Sequence, residues 1–281
     1  MCLCLASSLH SWAQVDISAY FLENHGFDTN FSYDARQTGN VSGDVINEVY
    51  GWTNETTATY TVAGTFAYNP EVTFNNSSAL PASGYEGSEG GALGLTTGWG
   101  MQLVYSQSVT LPKGTYRLSS AYYNVGTSSA GNSLLAWLPD NGTATVSNVK
   151  NFPVKSWKTD ELIFTLTAQT TGKIRIGFAA NEGVGSANHA KILVDYVKLL
   201  CDEMDKGNLE TALSEARAAY GDGSGVYAEE LKAAIDEAQT VYEDEHAAVT
   251  DILASTQRLT EATQIYPVSY THLTLPTNSL V

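Results

Sequence analysis

The sequence predicts a mainly β protein: a jelly-roll β-sandwich followed by a small three-helix bundle. Three observations carry that reading. Short runs of alternating β-formers fill the first two-thirds of the chain, the period changes to that of a helix near residue 206, and acidic charge concentrates after the change.

The β part runs from Asp16 to about Leu200. In "SQSVTLPKGTYRLSSAYYN" (Ser106–Asn124), Val109, Leu111, Tyr116, Leu118 and Ser120 alternate around Pro112–Gly114. A period of two buries one strand face, and Pro with Gly marks a turn, so an antiparallel hairpin is expected. The runs "ATYTVAGTFAY", "SLLAWL", "ELIFTLT", "KIRIGFAA" and "AKILVDYVKLL" repeat the signal between Gly-, Asn- and Ser-rich breaks. Many short strands at this spacing make a sandwich or jelly roll.

Three amphipathic stripes follow over 206–264: Leu209, Ala212, Leu213, Ala216 and Tyr220; Leu231, Ala234, Ile235, Ala238, Val241 and Tyr242; then Val249, Ile252, Leu253, Thr256 and Leu259. Short links between such stripes predict an antiparallel bundle, serving as a stalk or spacer. Gly221 ends the first helix, and "GDGSG" (221–225) is its turn rather than a calcium loop, because no Glu lies twelve residues from Asp222. The last segment, Tyr266–Val281, carries no charged residue and no stripe. Its "PVSYTHLTLPT" closely resembles the translated read-through of a sequencing-library adapter. Residues 266–281 are therefore expected to be an artefactual tail, extended and unpacked, with the natural protein continuing beyond residue 265.

Composition narrows the function. The chain has 281 residues, 43% apolar and only 16% charged, with a formal net charge of −16. Residues 15–200 hold 15 acidic and 10 basic side chains, whereas residues 201–265 hold 15 acidic and 4 basic. That balance argues against a nucleic-acid partner, which needs clustered Lys and Arg. No apolar run is long enough for membrane insertion. "MCLCLASSLHSWA" (1–13) resembles the end of a secretory signal peptide, with small residues placed for cleavage after Ala13. Its removal would leave Cys201 alone and no internal disulfide. A secreted or cell-surface protein is expected.

Catalytic signatures are missing. The carboxylates of 16–200 show no glycosidase-like local pairing, and His10, His25, His189, His246 and His272 have no zinc spacing. There is no GxSxG elbow and no P-loop. The six Asn-X-Ser/Thr sequons follow from a chain rich in those residues.

"YFLENHGFDTNF" with "GWT" (51–53), "QSVTLPKGTYRLSSAYYN", and "TGKIRIGF" followed by "ILVDYVKL" together resemble carbohydrate-binding modules of the β-jelly-roll, galactose-binding-like type. The resemblance covers residues 16–200. Residues 206–264 resemble the small helical modules that recur in large secreted bacterial glycan-processing proteins. These likenesses imply a non-catalytic module that binds a polysaccharide or glycan, as a fragment whose further domains are missing. The rival expectation is an adhesive or purely structural module of a surface protein.

Sugar rings stack on exposed aromatic side chains. Trp52, Trp137 and Trp157 are assigned to the core, whereas Trp99, between two glycines in "TTGWGMQ", is the candidate stacking ring, with Tyr105 and Tyr123 nearby. Asp195, in the apolar strand "ILVDYVKL", needs a cation or several donors if buried. Simple alternation puts Lys191 on its face and Lys198 on the opposite one. In the resembling jelly rolls the first and last strands are neighbours. This leads to the expectation of a structural calcium ion held by Glu23, Asn24, Asp28 and Asp195, its six to eight oxygens completed by carbonyls; the alternative is that Asp195 accepts backbone or tyrosine hydrogen bonds without a metal.

Overall fold

The computed structural model describes residues 14–32, 39–41, 48–56, 62–74, 79–97, 101–127, 131–147, 152–180, 191–225 and 227–271. The signal-like residues 1–13, Trp99 and residues 272–281 lie outside them.

The strands in chain order are β1 (Val15–Asp16), β2 (Gly39–Val41), β3 (Thr53–Asn54), β4 (Val62–Ala67), β5 (Val72–Phe74), β6 (Gly91–Thr96) and β7 (Gln102–Leu111). They continue as β8 (Gly114–Asn124), β9 (Gly131–Pro139), β10 (Thr145–Ser147), β11 (Trp157–Leu166), β12 (Thr170–Ala180) and β13 (Lys191–Met204). A short helix α1 (Ser18–Phe21) follows β1, and α2 (Gly207–Tyr220), α3 (Ala228–Glu243) and α4 (Val249–Thr271) close the chain.

Two antiparallel sheets face each other. One has the order β11-β8-β13-β6-β4, with β1 added on β13, and the other β10-β9-β12-β7-β3. First and last strands are neighbours as expected, Val15 opposite Cys201 and Asp16 opposite Leu200. Ser18 clips the pair, its hydroxyl accepting the Leu199 N–H at 2.8 Å while donating to Asp16.

The expected hairpin at Pro112–Gly114 is not one. β7 pairs with β12 and β3, whereas β8 pairs with β11 and β13, so the link crosses from one sheet to the other. The alternation is real, but the two apolar faces meet across the core rather than lying side by side. Leu111 and Tyr116 are both fully buried in that core, and the Tyr116 hydroxyl ties the crossing down by donating to the Pro112 carbonyl at 2.8 Å. Burial pushes the Tyr116 phenol pKa well up. Tyr116 stacks on Phe164, and Phe164 on Trp137, forming an aromatic column between the sheets.

The helical stripes fall where the periodicity puts them. Leu209, Leu213, Leu231, Ala238, Ile252 and Leu259 share one apolar core. Gly221, at φ +54°, ends α2 in the left-handed region that favours glycine. Val249 and Leu253 of α4 instead pack on the sandwich core, which docks the bundle. β13 runs to Met204 and α2 begins at Gly207. The expectation of an extended, unpacked segment from Tyr266 is corrected for its first residues. α4 continues to Thr271, and Tyr266 is buried against the bundle, because Leu259, Ala262 and Tyr266 repeat at helical spacing. Its hydroxyl accepts the Gly225 N–H and donates to the Tyr220 carbonyl, both at 3.2 Å.

Lys206 locks the junction. Its ammonium donates to the carbonyls of Val241 and Tyr242 at 2.9 Å each, and to that of Asp244, at the C-terminus of α3. Those carbonyls have no partner within the helix and carry its negative dipole end. Lys206→Met is expected to cost about 1–2 kcal/mol in urea unfolding. A change within experimental error would show that water replaces the ammonium at no cost.

Candidate functional site: an aromatic cluster beside a buried carboxylate

Five half-buried rings converge on the outer face of the sheet that contains β8, β11 and β13. Their positions follow from strand parity. Tyr116, Leu118 and Tyr122 of β8 face the core, so Tyr123 faces out. Leu162, Phe164 and Leu166 of β11 face the core, so Trp157 faces out as well. Trp157 and Tyr123 are register partners, with ring centroids 5.2 Å apart.

Trp157 is the hub. Tyr68, just after β4, meets it edge-on at 6.4 Å, and Tyr85 does so at 6.2 Å from a turn that crosses the sheet. Tyr196 of β13 packs on Tyr85 at 6.0 Å. A bulge makes this last contact possible. Val194 opposes Tyr122 and Val197 opposes Ser120, so Asp195 and Tyr196 together face the single residue Ala121. Both valines are core residues, and both Asp195 and Tyr196 point outward. The extra residue also inverts the expected parity beyond it: Lys198 lies on the Asp195 face, not the opposite one, and its ammonium sits 4.4 Å from the Tyr196 ring centroid.

Asp195 is only 3% exposed, as its apolar surroundings predict, and it holds the cluster together. Tyr68 donates its hydroxyl to Oδ1, the Tyr85 N–H donates to Oδ2 at 3.1 Å, and the Ser88 hydroxyl lies 3.0–3.1 Å from both oxygens. The turn Gly84–Ser88 thus wraps onto the carboxylate, and a Cβ at Gly84 would lie 2.0 Å from Asp195 Oδ1. Burial raises the Asp195 pKa against the lowering effect of these donors, with Asp28 adding to the rise. Beside the turn, a pocket of about 190 Å³ is lined by Tyr85, Tyr196, Asp28, Glu86, Glu89 and Lys198 among others.

The expected site residues therefore separate. Tyr123 belongs to the cluster. Tyr105 does not: it is fully buried, because it shares the inward parity of Leu103, Val109 and Leu111 on β7. Trp99 lies outside the described residues. Trp52 and Trp137 are core residues as expected, but Trp157 is half-exposed, and its odd place in "WKTDELIFTL" is the signal that assigns it.

Of the four expected calcium ligands the structure brings two together. Asp28 and Asp195 line the same pocket, but Glu23 and Asn24 do not. Glu23 exchanges backbone hydrogen bonds with the Gln107 amide at 2.8 and 3.1 Å. The Asn24 amide donates to the Tyr50 carbonyl at 3.1 Å and accepts from Thr29, so it serves the local turn. Among the described residues no three His, Cys, Asp or Glu side chains gather as a metal-holding group. A phenol, a serine hydroxyl and a peptide N–H form the donor set of a hydrogen-bonded carboxylate. Thermal melting with and without EDTA is expected to give one midpoint. A drop with EDTA that calcium reverses would show a bound ion.

No helix among the described residues is long and apolar enough to cross a membrane. No protein-family model matches the chain, and no curated protein matches it. Among solved structures, the chain is similar to the carbohydrate-binding module TmCBM61 in complex with β-1,4-galactotriose, at 19% identity and TM-score 0.39, over 63% of this chain and 95% of that one. It is also similar to the CBM22-1 xylan-binding domain of Paenibacillus barcinonensis Xyn10C, at 14% identity and TM-score 0.37, over 64% and 94%. A sugar-binding protein of Bacteroides thetaiotaomicron, described as putative, is similar at 12% identity and TM-score 0.35, over 63% and 97%.

Proposed function

We propose that the chain is a non-catalytic carbohydrate-binding module with a helical spacer, part of a larger secreted or cell-surface glycan-processing protein. The observation that carries this reading is the convergence of Tyr68, Tyr85, Tyr123, Trp157 and Tyr196 on one sheet face, all half-exposed. A core ring would be covered, and a ring with no role on a surface would stand alone. Five rings, four of them phenols and one an indole, offer a pyranose both C–H packing and hydrogen bonds. The motif resemblance of residues 16–200 points the same way, and the sequence carries no catalytic pattern to set against it.

Calorimetric titration with glycans selected on an array tests the reading. Trp157→Ala is expected to weaken binding by about 1–3 kcal/mol, the scale of losing one stacking ring under a planar ligand, while Trp157→Phe keeps most of the affinity. Binding that ignores Trp157→Ala would sink this site. A chain that binds no glycan would be the adhesive or structural module instead.

A further inference from the structure

The geometry points to a ligand class for this site: a glycan carrying free amino groups, whose ammonium enters the pocket between Tyr85 and Tyr196. The inference rests on the glycan-binding reading and sharpens it.

Two independent features of the pocket favour a cation. The first is aromatic. Tyr85 and Tyr196 form one wall, with centroids 6.0 Å apart and planes tilted by 59°. Ring faces attract ammonium groups within about 6 Å of the centroid. The protein already uses this attraction, because the Lys198 ammonium lies 4.4 Å from the Tyr196 centroid. The second feature is charge. Asp28, Glu86 and Glu89 line the same pocket, and no cation forms an ion pair with any of them among the described residues. Lys198 is the one lysine or arginine in the lining. The Glu86 carboxylate stands close enough to the Tyr85 phenol to raise its pKa. Asp28, Glu86 and Glu89, with the hydrogen-bonded Asp195 a fourth carboxylate behind them and Lys198 the one ammonium, in a chain of net charge −16, also repel uronates and sulfated sugars.

The volume suits one substituent better than a whole chain. About 190 Å³ accommodates an amino group and part of its sugar ring, while the ring packs toward Trp157. The rest of the glycan stays on the open aromatic face.

The test compares glucosamine hexamer, N-acetylglucosamine hexamer and oligogalacturonate by calorimetry with the full chain. Mildly acidic buffer keeps the amine protonated and exposed carboxylates ionised. The glucosamine oligomer is expected to bind about tenfold more tightly than its acetylated form at low salt, with the advantage shrinking as salt rises. Oligogalacturonate should be the weakest. The double variant Glu86→Gln/Glu89→Gln should remove most of the preference. Lys198→Gln, which frees the Tyr196 face, should strengthen glucosamine binding, a gain that misfolding cannot mimic. Equal or tighter binding of the acetylated oligomer, still lost in Trp157→Ala, would overturn the amine preference and leave the glycan site standing. No binding of any glycan would overturn both.

Discussion

Trp137→Ala is expected to cost about 3–5 kcal/mol of stability, the range for emptying a large aromatic site in a core. Trp137 is 2% exposed on β9 and stacks on Phe164 of the opposite sheet at 5.1 Å, with planes 6° apart. Phe164 in turn stacks on Tyr116 at 5.5 Å. The column spans both layers, so shrinking its end opens a void that neither sheet can close without moving the other. The backbone is tight around it: a Cβ at Gly172 would lie 2.8 Å from the indole. Urea unfolding measures the loss. A cost under about 1.5 kcal/mol would mean that the sheets close onto the gap.

Asp195→Ala should be the costliest change outside that column, at about 3 kcal/mol, because it strands three donors. The Tyr68 hydroxyl, the Ser88 hydroxyl and the Tyr85 N–H all lose their acceptor, and each buried donor left unpaired costs about 1–3 kcal/mol before water or rearrangement recovers part of it. Asp195→Asn should restore only a part, since its amide turns a donor toward one of these donors. The effect has a pH signature. Burial holds the folded pKa of Asp195 above its ordinary value. A group shifted upward contributes fully below its unfolded pKa, about 3.9, and loses that contribution as pH rises through the folded value. The gap between wild type and Asp195→Ala should therefore be widest in acid and narrow toward neutrality. A gap that widens with pH would show that the donors outweigh burial. Glycan affinity should fall too, because Tyr68 and Tyr85 lose their anchor.

The sequence made most of the framework legible. Each β-run quoted from it holds a strand, since alternation reports burial on one face directly. The helical stripes were equally plain, because Leu and Ala at i, i+3 and i+4 admit few other structures. Partnership was harder. Val109, Leu111, Tyr116 and Leu118 fit a hairpin and a crossing between sheets equally well, because both bury the same faces. The bulge was hidden as well: Asp195 and Tyr196 face one residue because of β8, which lies far away in the chain. Two signals were present but outweighed. Parity alone puts Tyr105 inside with Leu103 and Val109, and Trp157 outside against Leu162 and Phe164. The turn Gly84–Ser88 reads in the sequence as an ordinary Gly-rich loop, and nothing local says that it closes over a carboxylate.

One strand joins the aromatic cluster to the helical bundle. β13 brings Asp195 and Tyr196 to the aromatic cluster and, within a few residues of its C-terminal end, enters α2 of the bundle. If a glycan is held at the cluster while the bundle is pulled away, tension runs lengthwise along that strand. It is bonded to β8 and β6 on its two sides and to β1 near its end. Hydrogen bonds in an antiparallel ladder lie across the strand direction, so such a load shears them together instead of peeling them singly. The same topology that aligns the rings thus sets β13 to bear such a load in shear.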